Sequence, residues 1–218
     1  ETVPPYTHAG QSFPLGRVIR GSTASVFPDK VFTKMMESQK VQPPIYVDTS
    51  WLVVGHIDET VSFVKANNAR GWVMLANDAT MARNMFQTQS QAGRGNTPLH
   101  VGKYWSSSGG GQSAQVTINQ VLSDTDVMAA SAEAAVEVAA QIAIIKKETG
   151  LTDAEIVKVP FLHENLNGAS VAYQPGMVNG IYISDTHFVS PDPHGPVING
   201  QDIFKQAMSA ALAPHNIT

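Results

Sequence analysis

The chain has 218 residues, of which 43% are hydrophobic and 15% are charged, and it carries a net charge of −4 and no cysteine. This length suits one large domain or two smaller ones. The lack of a basic block argues against a nucleic-acid partner. The lack of an apolar run near the roughly 18 residues of a spanning helix argues against a membrane partner. Without cysteine, the chain has no disulfide, no thiolate metal ligand and no thiol nucleophile of its own.

The first third of the chain predicts short strands around one helix. Pro28 suits the first turn of a helix. Val31, Phe32, Met35 and Met36 follow at helical spacing, so we expect a helix that runs to about residue 39 and places its methionines in the core. Strands are expected over residues 17–20, 45–47, 52–54 and 61–64.

The middle of the chain predicts two helices separated by a loop. A strand over residues 72–76 leads to Asp78, which caps a helix that ends near residue 93 and places Met81 and Met85 in the core. Residues 95–115 contain the serine run 106–108 and the glycine run 109–111, which are typical of a mobile loop. The longest helix then starts at residue 123 or 124 and ends at Thr149, before Gly150.

The last third of the chain begins with a capping-box pattern from Thr152 to Glu155. Strands follow over residues 156–159, 170–173 and 180–184, and a final helix is expected over residues 200–213. Short strands and helices therefore alternate along the chain in the order strand–strand–helix–strand. This order predicts an α/β or α+β fold of such units rather than a doubly wound sheet.

The pair of side chains best suited to chemistry is His56 and Asp58, at the end of an apolar run. Gly55 allows the backbone to bend there, and an extended chain would point both side chains one way and Ile57 into the core. An ionised Asp58 can hold a cation or a planar donor such as a guanidinium, and His56 can transfer protons. Glu59 would face solvent or act as a cap, and a simple hydrogen bond between His56 and Asp58 explains the pair equally well.

A metal site is a further alternative, because His56 and Asp58 are both of ligand type. It would need a third and a fourth ligand, and no paired-histidine spacing supplies them. The other histidines are scattered, and we expect them on the surface or in loops: His8, His100, His163, His187, His194 and His215. The glycine run at 109–111 lacks the Lys-Ser/Thr that a phosphate-binding loop requires.

The stretch Trp51-Leu-Val-Val-Gly-His56-Ile-Asp58-Glu59 resembles the central signature of the protein-arginine deiminases. Other motifs of that family's C-terminal catalytic domain follow in the same order over essentially the whole chain. They lie at residues 13–17, 41–44, 150–160, 175–179 and 195–200.

The resemblance implies a pentein fold, a propeller of five ββαβ modules. It also implies hydrolysis of peptidyl-arginine to citrulline and ammonia, with calcium required in the animal enzymes. In that family a cysteine thiolate attacks the guanidinium carbon, two aspartates hold its nitrogens and a histidine handles protons. His56 matches that histidine, Asp58 matches the second aspartate, and Val54 lies where main chain lines the arginine pocket. Glu1 aligns with one calcium-ligating glutamate.

The departures from the family lie at the two ends of the chain. The first aspartate, most calcium ligands and the cysteine would fall outside residues 1–218, so we expect a part of one catalytic domain that is inactive alone. The first residue is Glu1 rather than Met, which fits a processed chain or a piece of one and leaves a secreted or cytoplasmic location open. The alternative is a non-catalytic binding or assembly module whose exposed core is covered by a companion chain or a second copy.

Overall fold

The computed structural model describes residues 1–105 and 111–218, so residues 106–110 of the expected loop lie outside it. Five α-helices occur in the described residues: α1 Lys30–Ser38, α2 Ala79–Gln89, α3 Ile118–Ser123, α4 Thr125–Thr149 and α5 Ile203–Leu212. The strands there are β1 Thr2–Val3, β2 Tyr6–His8, β3 Gln11–Phe13, β4 Arg17–Gly21, β5 Ile45–Val47, β6 Val61–Lys65, β7 Trp72–Asp78, β8 Pro98–Leu99, β9 Tyr104–Trp105, β10 Gln112–Ser113, β11 Val116–Thr117, β12 Ile156–Pro160, β13 His163–Leu166, β14 Ala169–Ala172, β15 Ile181–Ser184, β16 His187–Val189, β17 Val197–Ile198 and β18 Gln201–Asp202.

Two three-stranded sheets form the centre of this mixed α/β fold. In the first, β7 lies between β6, which is antiparallel to it, and β12, which is parallel to it. In the second, β4 pairs antiparallel with β1 and parallel with β5. The remaining strands form short two-stranded pairs. The predicted α/β class is therefore confirmed.

Strand β7 is buried on both faces, which explains its continuous apolar sequence. Val73 and Leu75 belong to a core cluster that includes Phe86 of α2 and Phe204 of α5, whose rings stack at 5.2 Å. The alternate residues of β7 face a second cluster, which joins the two sheets and the end of α4: Trp72, Met74, Ala76, Ile19, Ile45, Ile57 and Ile145.

The helix boundaries follow the capping signals in the sequence. The Asp78 side chain accepts a hydrogen bond from the Met81 N–H at the start of α2. The Asp124 side chain accepts hydrogen bonds from the Asp126 and Val127 N–H groups at the start of α4. Gly150 ends α4 with a φ of 70°, a conformation that glycine adopts without strain. The capping box of Thr152 and Glu155 opens a short 3₁₀ turn. These four predictions are confirmed.

Helix α4 corrects the expectation that no segment has the length and apolar composition of a membrane-spanning helix. By length and composition alone, α4 is apolar enough to span a membrane. A core helix meets the same criteria. Most of the buried residues of α4 lie three or four positions apart and, with the adjacent pair at 130 and 131, form one stripe against the protein: Val127, Ala130, Ser131, Ala134, Val138, Gln141, Ile145 and Thr149.

Helix α1 corrects a second expectation. It begins at Lys30 behind the cap Asp29, and none of its residues is buried. Met35 is 52% exposed and Val31 is 76% exposed, so the predicted core packing of this helix is wrong. Helical periodicity identifies an apolar face, but it does not identify what covers that face.

Candidate functional site

The residues between β5 and β6, which we call the site segment (residues 48–60), bend rather than continue a sheet. The predicted strand over residues 52–54 is wrong, because Leu52 makes only an isolated bridge with Ser170. Val54 is 57% exposed. Gly55 has a φ of 78°, so its predicted role in a bend is confirmed.

His56 and Asp58 lie on a tight turn rather than on a strand. His56 is extended and exposed, and it immediately precedes the 3₁₀ turn Ile57–Glu59, in which Asp58 is half-buried. The expectation that the two side chains share one strand face is therefore wrong. Ile57 is buried as predicted. The Glu59 carboxylate accepts a hydrogen bond of 2.8 Å from the His56 N–H, which confirms its role as a cap.

Helix α4 holds both ends of the site segment through Gln141. The Gln141 Nε2 donates a hydrogen bond of 2.7 Å to the Asp48 carbonyl, near the start of the segment. The Thr60 hydroxyl, at its end, donates to Gln141 Oε1 at 2.8 Å. The side chains of Gln141 and Thr60 are both buried, so the hydrogen bond between them is shielded from water, and the bond to Asp48 is partly buried.

Asn77, near the end of β7, supports the same turn from a second direction. Its side-chain amide donates to the Glu59 carbonyl at 2.6 Å, and its backbone N–H donates to the Thr60 carbonyl at 2.9 Å. Its Oδ1 is buried without a protein partner in the described residues. Asn77 also lines a groove of about 910 Å³ between α2, α4 and α5.

Strand β14 contacts the first half of the site segment. The Val53 N–H donates to the Ser170 carbonyl at 2.9 Å, and the Ser170 N–H donates to the Trp51 carbonyl at 2.8 Å. The Ser170 hydroxyl lies 2.9 Å from His163 Nδ1. Ser170 therefore connects the backbone of the segment to a buried imidazole.

His163 and His100 contradict the expectation that the remaining histidines lie on the surface, since both are buried. Burial lowers the pKa of His163 to about 4, which keeps its imidazole neutral. The His163 ring lies 5.5 Å from Trp51 and 4.7 Å from Phe161, and with Glu59 it lines a cavity of about 90 Å³ beside the turn. The apolar run before His163 was the only sequence signal for this burial.

Glu1 and Asp58 come within electrostatic range of each other. Glu1 is an exposed residue, but partial desolvation by neighbouring protein atoms raises the pKa of its carboxyl, and the Asp58 charge adds to that rise. The terminal ammonium and the Thr2 N–H oppose it.

The described residues do not assemble a metal site. Among residues 1–105 and 111–218, no group of three or more His, Asp or Glu side chains is placed to hold a metal ion. Calcium takes six to eight oxygen ligands. The side chain of Glu1 supplies one carboxylate, which is far short of that number. The part of the chain that the structure describes does not form a complete calcium site, nor a transition-metal site built on His56 and Asp58.

Comparisons with known proteins give one consistent result. The sequence model of the protein-arginine deiminase family matches residues 1–218. The chain is 30% identical over 218 residues to protein-arginine deiminase type-3 of Homo sapiens and 29% identical over 224 residues to type-4 of Rattus norvegicus. In both comparisons 98% of this chain is covered but only 32% of the relative. The chain therefore spans about a third of the length of these relatives.

Proposed function

We propose, from the premise that this chain belongs to the protein-arginine deiminase family, that it forms the histidine–aspartate side of a site that hydrolyses peptidyl-arginine to citrulline and ammonia. The observation that carries the proposal is the family match over the whole chain, which includes the His56-Ile-Asp58-Glu59 turn. That turn presents an exposed imidazole and a half-buried carboxylate, while Asn77 binds the Glu59 carbonyl and Gln141 binds the side chain of Thr60, which follows the turn.

Asp58 would bind the substrate. A carboxylate accepts two parallel hydrogen bonds from a guanidinium, and the match in charge and planar shape favours arginine over lysine. The half-buried position of Asp58 leaves it accessible while it limits competition from water. The main chain at Val54, on the exposed bend, would line the same pocket.

His56 would move protons during two chemical steps. A thiolate adds to the guanidinium carbon, the carbon–nitrogen bond breaks, and His56 donates the proton with which ammonia leaves. Water then adds to the same carbon and gives one proton to His56; the thiolate departs, the remaining O–H proton passes to solvent, and citrulline is left. The thiolate must come from outside residues 1–218, because these contain no cysteine.

The domain would be a partial pentein propeller, with residues 1–218 as part of one catalytic domain. One unit supports this assignment: β6 and β7 pair antiparallel, helices α2 to α4 follow, and β12 returns parallel to β7. That order is a ββαβ module. The animal enzymes of this family require calcium, and here Glu1 would supply one carboxylate to a site completed by other residues.

The second candidate function, a non-catalytic binding or assembly module, is favoured by exposed apolar side chains on and before α1. Val26, Phe27, Val31, Phe32 and Met35 are all exposed, and a companion chain or a second copy would cover them. Sedimentation that finds a clean monomer without a second polypeptide would count against this function.

The test is an NMR titration of the labelled 218-residue chain with N-benzoyl-L-arginine amide. We expect weak binding, with a Kd of about 1 mM or above, and shifts at His56 and Asp58 that Asp58→Asn abolishes. Asp153→Asn is the control, because it removes the same charge from a largely exposed side chain. Equal shifts in wild type and Asp58→Asn would contradict the proposal.

A further inference from the structure

We propose that Gln141 is a positioning residue that fixes the two ends of the site segment relative to each other. The inference deepens the proposed function, because it assigns to α4 the task of holding the turn that carries His56 and Asp58. It rests on hydrogen bonds that join residues far apart in the chain.

The chemistry of the three groups fixes the orientation of the Gln141 amide. The Asp48 carbonyl can only accept a hydrogen bond, so the amide nitrogen must face it, at 2.7 Å. The amide oxygen then faces Thr60, whose hydroxyl donates to it at 2.8 Å. Gln141 is 1% exposed and Thr60 is 0% exposed, so the bond between them is shielded from water, while the bond to the carbonyl of the exposed residue Asp48 is partly buried.

The fold alone does not require an amide at this position. The neighbours of Gln141 on the buried stripe of α4 are Val138 and Ile145, and an apolar side chain would fill the same space. A buried amide is unfavourable unless both of its ends are hydrogen-bonded. Gln141 meets that condition only by contacting both ends of the site segment.

The two ends also have local hydrogen-bond partners that do not involve Gln141. The Trp51 indole N–H lies 3.3 Å from the Asp48 carbonyl, and the Thr60 hydroxyl lies 3.0 Å from the Ile57 carbonyl. Loss of Gln141 would therefore leave neither end without a partner. What is lost is the connection between the ends, and with it the fixed placement of the turn relative to α4.

The experiment compares Gln141→Met, which keeps the side-chain length, with Ile145→Val, which trims an apolar neighbour on the same stripe. Amide hydrogen exchange is followed at two backbone N–H groups. The Thr60 N–H donates to the Ile57 carbonyl, and the Asn77 N–H donates to the Thr60 carbonyl. We expect exchange at these two amides to rise at least tenfold in Gln141→Met when the variants are compared at equal global stability. A rise within twofold of that in Ile145→Val would overturn the inference.

Thr60→Val removes the hydrogen bond between Thr60 and Gln141 from its other end. This variant replaces Gln141→Met in the exchange experiment if Gln141→Met does not fold. The double variant is expected to exchange no faster than the faster single variant, because both changes break one link. Fully multiplicative effects would contradict the link.

The exchange experiment needs no ligand, so it separates this inference from the proposed function. In the titration with N-benzoyl-L-arginine amide, we expect Gln141→Met to weaken binding several-fold while Ile145→Val leaves it unchanged. If wild type does not bind the probe, the proposed function fails, while the exchange data still decide the role of Gln141.

Discussion

Acidification should destabilise this protein through His163. The imidazole is 2% exposed, its Nδ1 lies 2.9 Å from the Ser170 hydroxyl, and aromatic rings pack around it. Burial lowers its pKa from 6.5 to about 4 in the folded chain. The unfolded chain therefore binds a proton at mildly acidic pH when the folded chain does not, and stability falls as the pH falls.

The magnitude follows from the two pKa values. Below pH 6.5 the unfolded state is progressively favoured, and the effect is complete only below about pH 4. Between pH 7 and pH 5 the expected loss of unfolding free energy is about 2 kcal/mol from this one group. Above pH 7 the imidazole is neutral in both states and contributes nothing.

Urea unfolding at pH 7 and pH 5 measures this loss directly. His163→Gln keeps a polar side chain beside Ser170 but cannot be protonated, so the variant should lose about 2 kcal/mol less than wild type over the same interval. The carboxylates titrate in both proteins and cancel in the comparison. An identical pH dependence in wild type and His163→Gln would refute the assignment.

Two further predictions concern the backbone and the end of α4. Gly55→Ala should lower the unfolding free energy by about 1–2 kcal/mol in urea unfolding, because Gly55 has a φ of 78°; an unchanged midpoint would show that this conformation is not required. Arg70→Ala should cost about 2–3 kcal/mol, because the guanidinium bonds to Glu155 and to the Thr149 and Gly150 carbonyls. Lys146→Ala, which breaks an exposed pair with Asp153, should cost about 0.5 kcal/mol or less; equal costs in the two variants would contradict the role of burial.

Local signals in the sequence predicted the start of α2, both ends of α4 and the central strand. Asp78, Asp124 and Gly150 act on backbone groups within a few residues of themselves, so their effects can be deduced without knowing the fold. The continuous apolar run of β7 likewise required burial on both faces.

The geometry of the site could not be predicted in the same way. The sequence identified His56 and Asp58 as a pair, but the turn that holds them depends on Gln141, 81 positions from Thr60 and 93 from Asp48. In the sequence, Gln141 is one polar residue in an alanine-rich helix. The burial of His163 depends on Phe161 and on Trp51, which is distant in the chain. Periodicity does not report such contacts.

The central proposal is that this chain binds the guanidinium group of arginine through Asp58, while the thiolate that attacks it comes from outside residues 1–218. The most direct measurement follows the ¹⁵N signals of guanidinium-labelled N-benzoyl-L-arginine amide in the presence of the intact 218-residue chain. We predict that the guanidinium signals shift on binding, that Asp58→Asn removes the shift, and that no ammonia or citrulline accumulates. Citrulline formation by the pure chain, or a shift that persists in Asp58→Asn, would contradict the account.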